Sequence, residues 1–212
     1  MISLPFKSSP SDPFLDPAKP ARRVIAFFDF DGTLAKGDSL WTFLVVAVGW
    51  LRCLYALFCG LLAYAVAPKN QDRRTIIKKI LLEKTLKGRR IDDLAPAIER
   101  MRSWPHWLET MVTLREHAND GHHIVIATGS LDLYVAAMMD GAPYHAILST
   151  EMEVEDGVLT GLMKGGNCVR QVKAERVADY LKNYGAVDES WAYGNAPHDL
   201  PMMELVTHNV VI

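Results

Sequence analysis

The sequence has no excess of positive charge: 23 Lys and Arg stand against 25 Asp and Glu, a formal charge of -2. Without a basic field there is little counterion release to drive binding to a polyanion, so nucleic acid is excluded as a partner. Cysteine is scarce and odd in number. Cys53, Cys59 and Cys168 show no metal-ligand spacing, and two of them sit in an apolar run. That usage predicts reduced, buried thiols in a cytoplasmic compartment, not a disulfide scaffold. The first 23 residues lack an apolar block of signal-peptide length; Pro5, Pro10, Pro13, Pro17 and Pro20 mark residues 1–23 as a flexible leader. The histidines have no ligand spacing either, and internal repeats are missing.

What is present is enough apolar residue for one core. Half of the 212 residues are hydrophobic, and single cores stop growing near about 250 residues. Val24 to Phe28 reads as a buried strand, and His123–Thr128, Ala146–Ser149, Ser190–Tyr193 and Asn209–Ile212 read as further strands. Helical stretches near 131–140, 168–183 and 198–206 separate several of them. This alternation predicts an α/β fold, a parallel sheet with helices on both faces. Asp156-Gly157, flanked by 151–154 and 158–162, predicts a hairpin.

Residues 37–103 interrupt the pattern and read as wholly helical, an insertion into a core made of 24–36 and 104–212. Leu40 to Ala67 is almost entirely apolar, but Gly49 and Arg52 argue for two short arms over one membrane span. From Asp72 to Arg90, eight basic residues face two acidic ones, with Ile76, Ile77, Ile80 and Leu81 at helical spacing. This is a basic amphipathic helix, and it raises an anionic membrane surface as a partner beside the plainer reading of a small helical bundle. Trp104-Pro105 should then break the helix, with a new one from Pro105 to Asp120.

The chemistry-bearing motif is Asp29-Phe30-Asp31-Gly32-Thr33 at the end of the first strand. Two carboxylates converge there if the loop curls at Gly32, and with no cation beside them in sequence they call for a metal with hard oxygen ligands, magnesium. Three more groups fall at strand ends, where a parallel sheet binds ligands. Thr128-Gly129-Ser130 offers a hydroxyl and backbone N–H groups to an anion. Lys173 offers a cation, and Gly194-Asn195-Ala196-Pro197-His198-Asp199 offers an amide and a carboxylate.

DFDGT (29–33), ATGS (127–130), Lys173 and YGNAPHD (193–199) together resemble the four motifs of the haloacid dehalogenase-like hydrolases, in their phosphoserine-phosphatase-like branch. The resemblance runs from Val24 to Ile212 and implies a Rossmann-like sheet with an all-helical cap after the first motif. It implies Asp29 as nucleophile and Asp31 as general acid and base. Thr128 and Lys173 would hold the phosphoryl group, with Thr33, Gly129, Ser130 and Asp38 contacting substrate. Magnesium would rest on Asp29, Asp31, Asn195 and Asp199. One departure stands out, since the fourth motif normally begins Gly-Asp and this chain has Gly194-Asn195. Chain length, the TGS sequence and the apolar segment are similar to the phosphatidylglycerophosphatase C group, which implies a lipid phosphate substrate and a peripheral place on the cytoplasmic membrane face. A soluble phosphomonoester, such as phosphoserine, and a binding protein whose catalysis decayed through Asn195 are the alternatives.

Overall fold

The computed structural model describes residues 22–68 and 72–212. The expected leader therefore lies outside the described residues except at its end, where Arg22 pairs with Glu189 at 2.7 Å. Six strands form one sheet: β1 (Val24–Phe28), β2 (His123–Leu131), β3 (Ala146–Glu155), β4 (Val158–Lys164), β5 (Glu189–Gly194) and β6 (His208–Val211). Their order across the sheet is β4-β3-β2-β1-β5-β6, parallel except for the β3/β4 hairpin. The central β1 is buried along its whole length, which is why it reads as an unbroken apolar run.

The two-residue period of the strands builds a core on each face. Ala26, Phe28, Ile124 and Ile126 point to one side. Ile25, Phe27, Val125 and Ala127 point to the other. The second face is covered by α7 (Arg170–Tyr184) and α8 (Leu200–Met203), through Val177, Met202 and Met203. On the first face lie α5 (Leu108–Asn119) and α6 (Asp132–Met138).

Between β1 and α5 run α1 (Ser39–Val48), α2 (Trp50–Val66), α3 (Arg73–Leu86), a 3-10 turn (Ile91–Leu94) and α4 (Ala95–Met101). The two arms meet at Gly49, whose φ of 84° closes α1 by an N–H bond to the Val45 carbonyl and opens α2. Seventeen residues of α2 rise about 25 Å, less than the ~30 Å of a bilayer's hydrocarbon core. Among the described residues no helix is long and apolar enough to cross a membrane. The helix α2 buries Cys53, Ala56 and Gly60, and a Cβ on Gly60 would sit 3.2 Å from Ile77 of α3. Its other side leaves Trp50, Leu51, Leu54, Tyr55, Phe58, Leu61 and Leu62 exposed.

Several boundaries differ from the sequence reading. The short strand expected at Ala146–Ser149 and the first hairpin arm are one continuous strand, turned at Asp156 and Gly157 with φ of 49° and 78°. The helix expected from Pro105 begins at Leu108. Residues 105–107 are held extended instead, because Lys36 donates to the Pro105 carbonyl and Trp107 to the Leu34 carbonyl. The helix expected over 198–206 is a single turn, since the chain must reach β6 by His208. All three cysteines are free thiols.

Candidate active site

The carboxyl ends of β2, β1 and β5 lie side by side, and each carries one of the motifs. Asp29 extends the β1 ladder by donating its N–H to the Tyr193 carbonyl at 2.8 Å, and its buried carboxylate stands at the floor of a cavity of about 400 Å³. The loop then curls back on itself: Thr33, Leu34 and Ala35 all donate to the Phe30 carbonyl. Gly32 has φ of 84°, and a Cβ there would stand 2.8 Å from Asn195 Nδ2. Only glycine lets the β1 loop and the β5 loop approach so closely.

The two carboxylates of this loop meet unlike surroundings. Asp29 Oδ1 accepts from Lys173 Nζ at 2.6 Å, and Oδ2 accepts from Thr33 Oγ1 at 3.0 Å. Burial raises its pKa, the Lys173 charge opposes that, and the nearby Asp199 charge adds to it. Asp31 instead faces the hydroxyls of the first helix and second strand. It accepts from Ser130 Oγ and from the Ser39 N–H at 3.2 Å, and Ser39 Oγ in turn donates to Tyr134 Oη at 3.0 Å. Burial pushes Asp31 up to about 6, against the pull of the Ser130 and Ser39 hydrogen bonds. Burial raises both carboxyl groups, but only Asp29 has a cation against it, so the Lys173 pairing favours its ionised form and leaves Asp31 the better proton carrier.

Lys173 supplies the cation that the local sequence around Asp29 lacks. Its buried ammonium bridges Asp29 and Asp199, each at 2.6 Å. Burial alone would lower its pKa, but the two carboxylates outweigh that and raise it, so it stays charged. Asp199 spends its other oxygen on the Asn195 N–H at 2.8 Å. Both its oxygens are thus engaged, one by Lys173 and one by the β5 loop. Gly194 is forced by the same contact, since a Cβ would meet Asp199 Oδ2 at 2.7 Å.

Among the described residues no three His, Cys, Asp or Glu side chains gather as a ligand set. The groups that meet here are of another kind. The Asn195 amide lies 3.4 Å from the Asp31 carbonyl and 3.3 Å from Thr33 Oγ1, which binds Asp29. Turning that amide offers its oxygen at the same point. One carboxylate, one main-chain carbonyl and one amide oxygen are hard donors that fit magnesium, an ion that completes its shell with water and phosphate.

A sequence profile of the haloacid dehalogenase-like hydrolases matches residues 26–204. The chain belongs to that family. Its relatives include proteins named phosphoserine phosphatase and probable phosphatase. Protein CicA of Caulobacter vibrioides is 27% identical over 86% of this chain and 82% of its own length. A phosphoserine phosphatase of Haemophilus influenzae is 30% identical, but over only 57% of this chain and 38% of that one. A solved structure from Bordetella pertussis, described as of unknown function, shares the fold with a TM-score of 0.73 at 22% identity, covering 90% of each chain.

Against that family's pattern, the remaining expected site residues fall unevenly. Thr128 lines the cavity, its Oγ1 accepting from the Ser130 N–H at 2.9 Å. Gly129 lines it too, and a Cβ there would strike Val169 Cγ1 at 2.7 Å. Asp38 reaches the rim, where it caps α1 by accepting from the Leu40 and Trp41 N–H groups. Thr33, expected to touch substrate, is fully buried behind Asp29 and is absent from the cavity wall.

Sequence reasoning missed four residues of this site. Ser39 holds Asp31 through its N–H, and its buried hydroxyl joins Tyr134 Oη to Ser130, whose hydroxyl donates to Asp31. The other two overturn the expected basic face of the 72–90 helix. Lys78, expected to face solvent or headgroups, turns inward and donates to the Gly129 carbonyl and to Asn167 Oδ1 at 2.7 Å. Arg74, one turn earlier, lies 2.9 Å from His198 Nε2. A signal for Lys78 existed: it shares one helical stripe with the buried Leu81, Leu82 and Thr85.

Proposed function

We propose that the protein is a magnesium-dependent phosphomonoesterase that works through an aspartyl-phosphate. The observation that carries this reading is the pair of carboxyl groups at the cavity floor, one held by Lys173 and Thr33, the other driven toward neutrality near pH 6. Asp29 attacks phosphorus in line as the ester P–O bond breaks, and the Asp31 carboxyl gives its proton to the departing alkoxide. Water then attacks phosphorus and breaks the Asp29–phosphorus bond, and Asp31 takes the water's proton. Lys173 and the N–H and hydroxyl groups at Thr128–Ser130 face the charge that builds on the phosphoryl oxygens. Asp29, the Asp31 carbonyl and Asn195 would hold the magnesium, which supplies further charge neutralisation when bound.

The insertion of residues 37–103 acts in this reading as a cap that keeps water from the cavity. The substrate we favour is a lipid phosphate met at an anionic membrane surface on the cytoplasmic side. The exposed apolar side of α2, flanked by Arg52 and by Arg73 stacked over Tyr64 at 4.9 Å, supports it. The name of the Haemophilus relative supports the competing reading, a soluble phosphomonoester. Hydrolysis of p-nitrophenyl phosphate, with magnesium or with chelator, separates both from a protein without turnover. The native chain should turn over only with magnesium, and Asp29→Asn should fall below about a hundredth of that rate while keeping its fold. Substantial residual turnover in Asp29→Asn would mean direct attack by water and sink the covalent route.

A further inference from the structure

Asp31 is gripped at both carboxylate oxygens, by groups from different parts of the chain. Ser130, near the end of β2, donates its hydroxyl to Oδ2, and the N–H of Ser39, the first residue of α1, donates to Oδ1 at 3.2 Å. Behind them, Ser39 Oγ stands 3.1 Å from Ser130 Oγ and 3.0 Å from Tyr134 Oη. Ser39, Ser130 and Tyr134 are all buried, and the Tyr134 ring packs on Phe43 of α1 with centroids 4.6 Å apart. Asp38 fixes the start of α1 by capping it. One oxygen of Asp31 is therefore held by the inserted helices and the other by the sheet.

Hydroxyl groups in such a place are costly unless they are bonded, and alanine or phenylalanine would fill the same space without that cost. Tyr134 belongs to the apolar cluster that also holds Phe43, Leu131 and Val135, so packing alone does not call for its oxygen. What the hydroxyls share is their direction, since the chain of contacts ends on Asp31 in the cavity wall. A proton donor must stay within about 3 Å of the oxygen it serves, and a carboxyl held at both oxygens cannot turn away. The single hydroxyl hydrogen of Ser130 goes to Asp31, which withholds it from a phosphoryl oxygen. Thr128 Oγ1 only accepts, from the Ser130 N–H at 2.9 Å, and keeps its own hydrogen to give.

We propose that Ser130, backed by Ser39 and Tyr134, is a positioning residue that aims the Asp31 carboxyl at the leaving oxygen. The proton passes from Asp31 to that oxygen as the ester P–O bond breaks, and the three hydroxyl groups give up none of their own. This rests on the phosphatase reading above and narrows it: of the two hydroxyls at the end of β2, that of Thr128 is the one left for the phosphoryl group.

The readout is the ratio of kcat/KM for phenyl phosphate to that for p-nitrophenyl phosphate, two esters of nearly one shape. Phenol, with a pKa of about 10, needs a proton as it leaves, whereas the far more acidic p-nitrophenol departs without one. Ser130→Ala should cut the ratio on the order of tenfold, with the loss on phenyl phosphate turnover and not on its KM. Tyr134→Phe keeps the ring and should move the ratio the same way by a smaller factor. Thr128→Ala, which removes a phosphoryl contact, should slow both esters alike and leave the ratio where it was. If Ser130→Ala also slows both esters alike, its role is structural and the proposal is overturned; an unmoved ratio in Tyr134→Phe removes the backing assigned to Tyr134. If the native chain with magnesium hydrolyses neither ester, the phosphatase reading itself fails, and urea unfolding in chelator then decides whether Ser130 holds Asp31. Ser130→Ala should lower the midpoint of the native chain more than that of Asp31→Ala, which supports the hold, and equal losses in both backgrounds overturn it.

Discussion

Asp31 concentrates the conflict between stability and function in one side chain. Its carboxyl is moved from 3.8 to about 6 by burial, so the folded chain holds that proton more tightly than the unfolded chain does. The sign follows: the site is unstrained when protonated, and stability is lost as pH rises through about 6 and the buried carboxylate ionises. Asp31→Asn keeps the volume and removes the charge. In chelator at pH 8 it should gain on the order of 2 kcal/mol in urea unfolding, and near pH 4 the gain should vanish, while turnover is lost at every pH. A gain of equal size at both pH values would show that ionisation of Asp31 has no part in it. The same scale holds the chain's departure from its family. Asn195→Asp restores a formal charge beside the Asp31 carbonyl, 3.4 Å from the present amide, and should lower the magnesium concentration needed for half-maximal turnover. An unchanged magnesium dependence would remove residue 195 from the ligand set.

At the scale of elements, the packing of α3 on β4 fixes how far the helix that carries Lys78 stands from the strand ends. Gly161 of β4 has φ of 83°, and a Cβ there would come within 3.0 Å of Glu83 Cα and Lys87 Cβ. Gly161→Ala should therefore cost about 1–3 kcal/mol and raise KM as α3 is pushed outward. Gly88→Ala is the control, because φ is 78° there but open space surrounds the position, so only the backbone term of about 1 kcal/mol remains. Equal losses in the two variants would mean that contact with α3 is not what Gly161 protects. This level also shows what could be read from sequence. The strands were legible because parallel strands buried on both faces leave unbroken apolar runs, as Val24–Phe28 and His123–Thr128 do. The break into two arms was legible from Gly49 together with the charge of Arg52 in mid-run. The four strand-end motifs were legible because loop chemistry at a sheet's carboxyl edge uses few residue types. The inward turn of Lys78 was hidden by composition: among the five basic residues of α3, the one in line with the buried Leu81, Leu82 and Thr85 looks like its neighbours. The bridge from Lys173 to Asp199 was hidden for another reason, since it joins residues from α7 and the β5 loop that only tertiary structure brings together.

For the whole molecule, the unequal halves of α2 raise the question of what covers its outer side. A helix apolar on nearly all sides is normally buried, yet Phe58 is 60% exposed, Leu51 66% and Leu62 54%. At about 1 kcal/mol for each half-inserted apolar side chain, seven such residues outweigh the roughly 4 kcal/mol that Arg52, Arg73, Lys79 and Lys84 together could draw from anionic headgroups. The apolar term should therefore dominate membrane binding, and charge should tune it. The expected outcome in co-sedimentation is binding to anionic vesicles that weakens, but persists, at high salt, with weaker binding to neutral vesicles. Phe58→Gln with Leu62→Gln should release more protein than Arg52→Gln, Arg73→Gln, Lys79→Gln and Lys84→Gln combined. Lys78 and Arg74 are left out of the charge variant because they face the cavity, so the catalytic readout stays separate from the docking readout. If the native chain stays in the supernatant with every vesicle, the outer side of α2 is not a lipid-facing surface. The substrate would then reach Asp29 from solution, through the same cavity and past the same two cations.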